Sequence, residues 1–382
     1  MADSGLEPSK SSIHQSSNEE INDFKYSYEK KKLADDSERN STRTTVENPI
    51  QWEYLTFETT LPRPSRLLEP QACASSLPKE PDLKQYESPF NWSAGRKRFI
   101  TWLSCVATTC TAYAAGSYTS GSAQMMEEWG VSHVAITVGV TTFTTGFAIA
   151  PMVLAPFSEI NGRRPMFVIT GCLYVVFQLC CAVTRSYAGM LVSRFWMGVF
   201  SSTFSTMVGG VLSDIYHAED RNTAMSLFSG AALFGTGLGP LVSGFIAANT
   251  TWRWIFYLQI ITCGVVQALV VLFFKETRGS VLLSRKAKKL NQYYDALEEA
   301  GYVGLDMPSS SEPGKTISTR TRWKVKSDEE RASLSKMIGI SLYRPFHFLF
   351  TEPVVFFFSL WISFAWAVLY LTFGAIPLGK VW

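Results

Sequence analysis

Residues 155–165, Ala-Pro-Phe-Ser-Glu-Ile-Asn-Gly-Arg-Arg-Pro, join two long apolar runs, Val134 to Phe157 and Met166 to Val183. A helix needs about 20 apolar residues to cross a hydrocarbon core roughly 30 Å thick, and each run supplies that length. The link is short, so the two helices must turn back on each other as a tight hairpin. Gly162 permits the sharp bend, and Pro165 stops either helix from running through it. Arg163 and Arg164 sit in the turn, and adjacent cations at the end of a span place it in the cytosol. Glu159 lies four residues before Arg163, within reach of a local ion pair.

The remaining apolar residues are distributed unevenly over the 382-residue chain. Residues 1–98 are rich in Ser, Glu, Lys, Asn and Pro. Too little apolar surface is present there to offset the entropy of ordering, so this stretch reads as a disordered cytosolic tail. Arg96-Lys97-Arg98 closes it. Residues 99–274 are almost continuously apolar and divide into six spans. Residues 275–353 form a long basic loop, 354–376 a seventh span, and 377–382 a short tail. No signal peptide is expected, because the first apolar run starts almost a hundred residues in. The net charge of +3 carries no nucleic-acid signature. The cysteines show no metal-ligand spacing, and nothing in the spans resembles a nucleophile–base pair or a phosphate loop, so neither an enzyme nor a cofactor is expected.

Span 1, about Phe99 to Tyr118, carries Thr101, Ser104, Thr108, Thr111 and Ala115 on one face, a stripe that either packs helices closely or lines a cavity. Span 4, about Met190 to Tyr216, contains Arg194 in its outer third. An arginine unpaired in lipid costs at least about 2.5 kcal/mol, so it faces the bundle or snorkels to the headgroups. The turn after span 4 holds Asp214, Glu219, Asp220 and Arg221. Span 5, about Ala224 to Ala247, repeats Gly235, Gly239 and Ser243 at four-residue spacing, which lets another backbone approach, while Pro240 can kink the helix. Trp252 and Trp254 fit an outer aromatic belt. In the basic loop, Leu283, Ala287, Leu290, Tyr294 and Leu297 predict an amphipathic helix on the inner leaflet, and 301–327 reads as linker.

The turn Ser158-Glu159-x-x-Gly162-Arg163-Arg164 between spans 2 and 3 resembles the loop signature of major facilitator superfamily transporters. Leu191-x-x-Arg194-x-x-x-Gly198 resembles that superfamily's fourth-span motif, and Gly235-x-x-x-Gly239-Pro240-x-x-x-Gly244 its antiporter motif. Val281 to Leu290 and the later Arg344-Pro345-Phe346 resemble the fungal twelve-span drug:proton antiporters, a group that includes polyamine and azole exporters.

The resemblance implies an all-α integral membrane protein: an N-terminal bundle of two inverted three-helix repeats plus a seventh helix, with most of the second half missing. It implies proton-coupled export of small organic or cationic compounds in the plasma membrane. The bilayer, the substrate and the proton are the expected partners, together with a second chain to supply the absent half. It assigns Glu159, Gly162, Arg163, Arg164, Arg194, Asp214 and Arg221 to gating and coupling. Asp214 is then the acid that pairs with the loop arginine at an inner gate. A truncated product that does not transport, or that interferes with full-length relatives, is the alternative reading. No carboxylate lies at mid-depth in any span, so coupling would draw on Arg194 with Glu159 or Asp214, or on acids of the other half.

Overall fold

The computed structural model describes residues 50–64, 78–300, 305–308, 316–331 and 333–375. Residues 377–382 and most of the tail therefore lie outside the described residues. From Trp52 onward the described residues form one compact unit. Its helices are α1 (Ala94–Ser117), α2 (Ser122–Trp129), α3 (His133–Asn161), α4 (Arg163–Val183), α5 (Tyr187–Ile215), α6 (Arg221–Asn249), α7 (Arg253–Phe273), α8 (Gly279–Glu299), α9 (Lys326–Glu329), α10 (Leu334–Thr351) and α11 (Pro353–Ala375). The strands are β1 (Gln51–Tyr54), β2 (Arg63–Pro64), β3 (Leu305–Pro308), β4 (Thr316–Thr319) and β5 (Thr321–Lys324). Expected spans 1 to 6 are α1, α3, α4, α5, α6 and α7, and the seventh is α11.

Among the described residues, α3, α4, α5, α6, α7 and residues 353–372 of α11 are long and apolar enough to cross a membrane. The 24-residue helix α1 is long enough too, and its hydroxyls explain why composition alone passes it over. Thr101, Ser104, Thr108 and Thr111 are all buried, so the stripe packs rather than faces lipid. Thr108 Oγ1 donates to the carbonyls of Ser104 (3.0 Å) and Phe204 (2.8 Å), and Thr109 Oγ1 to those of Cys105 (3.0 Å) and Ala231 (3.2 Å). These bonds tie α1 to α5 and α6 and remove the cost of burying the hydroxyls.

The packing follows an inverted repeat. Taking α1, α3, α4 as one triplet and α5, α6, α7 as the other, the first helix of each lies along the second helix of the other: α1 on α6, and α5 on α3. The third helix of each packs on the other's first, α4 on α5 and α7 on α1. Glycine sets the approach at both crossings. A Cβ at Gly146 would strike the Phe195 carbonyl of α5, and one at Gly198 the Phe143 carbonyl of α3. Across the other crossing, Gly235 faces the Thr109 carbonyl, and a Cβ at Gly239 would lie 2.7 Å from the Tyr113 carbonyl. Pro240 packs over Gly116 of α1. Gly244 meets nothing within 4 Å, so the C-terminal glycine of the span 5 motif takes no part in this seam.

At the end of the bundle away from the charged hairpin, α2 occupies the loop after α1 and closes on Gly130, whose φ of 61° lies in the left-handed region. Arg253 makes a two-pronged bond to Glu128 (2.6 and 2.8 Å), and Trp252 Nε1 donates to the same carboxylate (2.8 Å). Trp252 is buried against Trp129 and so does not belong to an aromatic belt, whereas Trp254 is exposed. The Arg253 hydrogen bonds hold the Glu128 carboxyl below the usual carboxylate range.

Three readings of the polar segments change. Residues 50–64 and 78–93, read as disordered tail, hold β1, β2 and two 3-10 turns at Lys84–Tyr86 and Pro89–Asn91. Residues 305–308 and 316–324, read as linker, form β3, β4 and β5, with β3 antiparallel to both β2 and β4. The apolar face of α8 does not rest on lipid. Ala287, Leu290, Tyr294 and Leu297 are buried with Leu55, Leu305, Trp323 and Val325 in a small core of their own. Leu55 donates its N–H to the Lys324 carbonyl (2.9 Å), and the Tyr54 hydroxyl to Glu329 (2.6 Å). The face had an apolar partner in the chain, and the sequence could not show which segment would supply it.

The glycine seams predict that Gly235→Ala lowers stability by about 1–3 kcal/mol through overpacking, while Gly237→Ala, open to space, leaves the melting temperature of the purified protein within error. Glu128 has a depressed pKa in the folded state, so its contribution is present above its unfolded pKa and is lost as pH falls through the folded value. E128Q is therefore expected to melt below wild type at neutral pH, with the gap closing as pH drops through ~4 and below. A gap independent of pH would remove this assignment.

Candidate functional site

The hairpin turn is held open by one conformation. Gly162 adopts φ 100° and ψ 163°, ends α3 by donating its N–H to the Ser158 carbonyl (3.1 Å), and starts α4 one residue later. A Cβ at Gly162 would strike the Glu276 carboxylate, so glycine is required by space as well as by φ.

Glu276 lies in the link between α7 and α8 and is buried. Its carboxylate accepts from the backbone N–H groups of Arg163 (2.8 Å), Arg164 (3.2 Å), Thr277 (3.1 Å) and Arg278 (3.0 Å). The first two are unpaired donors of the first turn of α4, where the helix dipole also favours an anion. Lys275-Glu276-Thr277-Arg278 reads in the sequence only as the return to the cytosol. The one signal available was an acid placed directly after an apolar span.

Arg163 is buried, and its backbone bond to Glu276 fixes where its side chain starts. Nε donates to Asp214 Oδ2 of α5 (3.3 Å), and Nη1 donates to Ser158 Oγ of α3 (2.7 Å). Gly210, one turn before Asp214, makes room: a Cβ there would lie 2.6 Å from the Arg163 guanidinium. The second oxygen of Asp214 accepts from Arg278 Nη1 (3.5 Å), and Arg278 Nη2 stands 3.9 Å from Glu159. Two arginines and three carboxylates thus join α3, α4, α5 and the α7–α8 link at one end of the bundle.

Several expected members sit elsewhere. Glu159 pairs with Arg278 and not with Arg163 four residues on, because Arg163 is drawn inward between Ser158 and Asp214. Arg221 stays outside the network and donates to the Tyr216 carbonyl (3.4 Å). Arg164 contributes its backbone only, and its exposed side chain reaches the Val271 carbonyl (3.4 Å).

Arg194 is fully buried and does not snorkel. Its Nε donates to the Gly139 carbonyl (3.2 Å), and its guanidinium carbon lies 4.3 Å from the Tyr118 ring centroid and 4.6 Å from that of Phe143. Two aromatic faces can hold a cation with less water around it. Nη1 and Nη2 have no hydrogen-bond partner among the described residues. Other polar residues within the bundle bridge helices: the Tyr113 and Ser243 hydroxyls are 3.1 Å apart, Gln259 Nε2 donates to Ser117 Oγ (2.6 Å), and Gln267 Nε2 to the Val168 carbonyl (3.0 Å). Gln178 Nε2 donates to Cys263 Sγ (3.4 Å). A groove of about 640 Å³ opens between α1 and α6, walled by Trp102, Cys105, Leu227 and Phe234, with Thr109, Thr223 and Ser226 as its hydroxyl groups.

Residues 104–381 match the Major Facilitator Superfamily. The chain is 34% identical over 302 residues to the MFS-type transporter paaT of Penicillium rubens, covering 78% of this chain and 50% of that one. It is 32% identical to the Major facilitator superfamily multidrug transporter mdrA of Aspergillus fumigatus, over 76% of this chain and 44% of the relative. With the MFS-type efflux pump MFS2 of Trichophyton rubrum the identity is 31%, over 79% of this chain and 46% of the pump. The chain thus spans about half the length of these relatives. Paired inverted triplets, a glycine-seamed bundle and a charged hairpin between α3 and α4 agree with that match, and the chain belongs to the Major Facilitator Superfamily, with fungal transporters of that superfamily among its relatives.

Proposed function

We propose that this chain forms the first half of a proton-coupled exporter of small organic or cationic compounds, of the class of drugs and polyamines. In this reading it lies in the plasma membrane with its N-terminal tail in the cytosol. The rest of a second six-helix unit, of which α11 is the first helix, in the same longer protein or on another chain, completes the transport path. The match to relatives named as multidrug transporters and efflux pumps supports export, and the apolar groove between α1 and α6 supports a substrate with substantial apolar surface.

The observation that carries the reading is the network of Arg163, Asp214, Arg278 and Glu159. It ties the ends of α3, α4 and α5 to the link leaving α7. An ion-pair set of this kind is stable in one packing of the bundle end and must be exchanged for other partners, or for water, when that end opens. It therefore acts as an inner gate. Arg163 and Asp214 form its buried core, and Arg278 with Glu159 its more exposed rim. The bare Nη atoms of Arg194 supply a fixed positive charge inside the bundle, where a proton arriving on a nearby acid would be opposed and a carboxylate favoured. Arg194 in this reading sets the proton affinity of groups contributed by the other half.

Cells lacking their own exporters and expressing the full transport unit are expected to lose an azole or a polyamine faster than controls under an inward proton gradient. D214N is expected to reduce that efflux at least about tenfold, with membrane abundance unchanged and partial recovery in the R163D/D214R exchange. Efflux by D214N at the wild-type rate would remove the gate. E276Q tests the scaffold separately: it weakens bonds to four backbone donors, at a cost of about 1–3 kcal/mol of stability, read as a lower melting temperature of the purified protein.

A further inference from the structure

We propose that a cationic rim made by Arg164 and Lys275, continued by Arg285, Lys288 and Lys289, binds the headgroup of an anionic phospholipid of the cytosolic leaflet. The proposal rests on the orientation given above. Arg164 and Lys275 are exposed where α4 begins and α7 ends. The bond from Arg164 Nη2 to the Val271 carbonyl (3.4 Å) lays its guanidinium against the last turn of α7, two residues before Phe273 and four before Lys275. Arg285 Nη2 donates to the carbonyl of Asn161 (3.4 Å), the last residue of α3, so the start of α8 stays at this same end of the bundle. Arg285, Lys288 and Lys289 are exposed on the side of α8 opposite buried Leu290, Tyr294 and Leu297.

None of these five cations forms an ion pair among the described residues, whereas Arg163, Arg253, Arg278, Arg320 and Arg322 all do. The acids around them are already engaged. Glu276 is buried beneath four backbone N–H groups, Asp214 lies between two arginines, and Glu159 faces Arg278. Farther along α8, Asp295 pairs with Arg322. The positive charge therefore points outward.

On the membrane side of the rim, Ile169 of α4 and Leu272 and Phe273 of α7 are exposed apolar side chains. Exposed cations at the helix ends, with exposed apolar side chains within five residues of them along α4 and α7, match a single molecule that carries a phosphate and acyl chains. A free phosphate would engage the cations alone. Basic side chains beside an anionic leaflet strengthen lipid binding by roughly fivefold each.

The test uses the purified full chain in neutral detergent, with native mass spectrometry as the readout. It is titrated with dioctanoyl phosphatidylinositol 4-phosphate, dioctanoyl phosphatidylserine and dioctanoyl phosphatidylcholine. Retention of the anionic lipids over phosphatidylcholine, weakened about tenfold or more in R164Q/K275Q and kept in the charge-preserving R164K, is the expected result. Equal retention of all three lipids, or a double variant that binds as wild type does, overturns the proposal. So does equal binding of inositol 4-phosphate without its chains, since a soluble anion would then suffice. These exposed side chains carry no packing, and a circular dichroism spectrum and melting temperature matching wild type confirm that the variant is folded. Because lipid retention is read without transport, a failed efflux assay does not bear on it. Labelling of K288C from the cytosolic side alone checks the orientation separately, and labelling only from outside would place the rim on the other leaflet.

Discussion

A hydrocarbon core offers no hydrogen bonds, so each polar group that enters it must find a partner within the protein. That constraint organises this molecule. The backbone meets it by forming helices 21 to 29 residues long. The threonines of α1 meet it by donating to carbonyls of their own helix and of α5 and α6. The same bonds that satisfy the hydroxyls draw the helices together, and the glycines at both crossings permit the approach. Polar satisfaction and close packing are here one arrangement.

The charged end of the bundle obeys the same constraint by a different route. Arg163 cannot be buried alone, and it is matched by a carboxylate, a serine hydroxyl and the space left by Gly210. Glu276 forms no ion pair among the described residues. Its charge is spread over four backbone N–H groups, two of them the open donors of α4. The turn is thereby fixed by backbone contacts, separately from the side-chain pairs that Arg163 and Arg278 make with Asp214. Arg194 is the charged exception within the bundle, beside neutral ones such as the Tyr174 hydroxyl and Thr203 Oγ1: one hydrogen bond and two aromatic faces surround it, and its remaining donors are unmatched among the described residues. An uncompensated charge is costly to keep inside a bilayer.

How much was legible follows from the range of each signal. Hydrophobic periodicity and length gave seven helices, because spanning lipid is a property of consecutive residues. The Gly235 and Gly239 spacing foretold a close backbone approach, and the approach occurs against α1. The ion pair of Glu159 was misassigned. Spacing along a helix suggested Arg163, but the helix ends between them at Gly162, and Arg278, more than a hundred residues away, arrives instead. The apolar face of α8 was assigned to lipid for the same reason: Leu55 and Trp323 are remote in sequence, and only the folded chain brings them to it.

The sequence alone determined the class of the protein, the number and order of its long apolar spans and the position of its charged hairpin. Each depends on local composition and on the fixed thickness of a bilayer. Tertiary structure decided which charges meet, that Glu276 caps α4, that the polar stripe of α1 faces inward, and that segments read as tail and linker build one small core. Those outcomes depend on contacts between residues far apart in the chain. A sequence records which residues can pair, while the geometry of the packed bundle decides which of them come within reach.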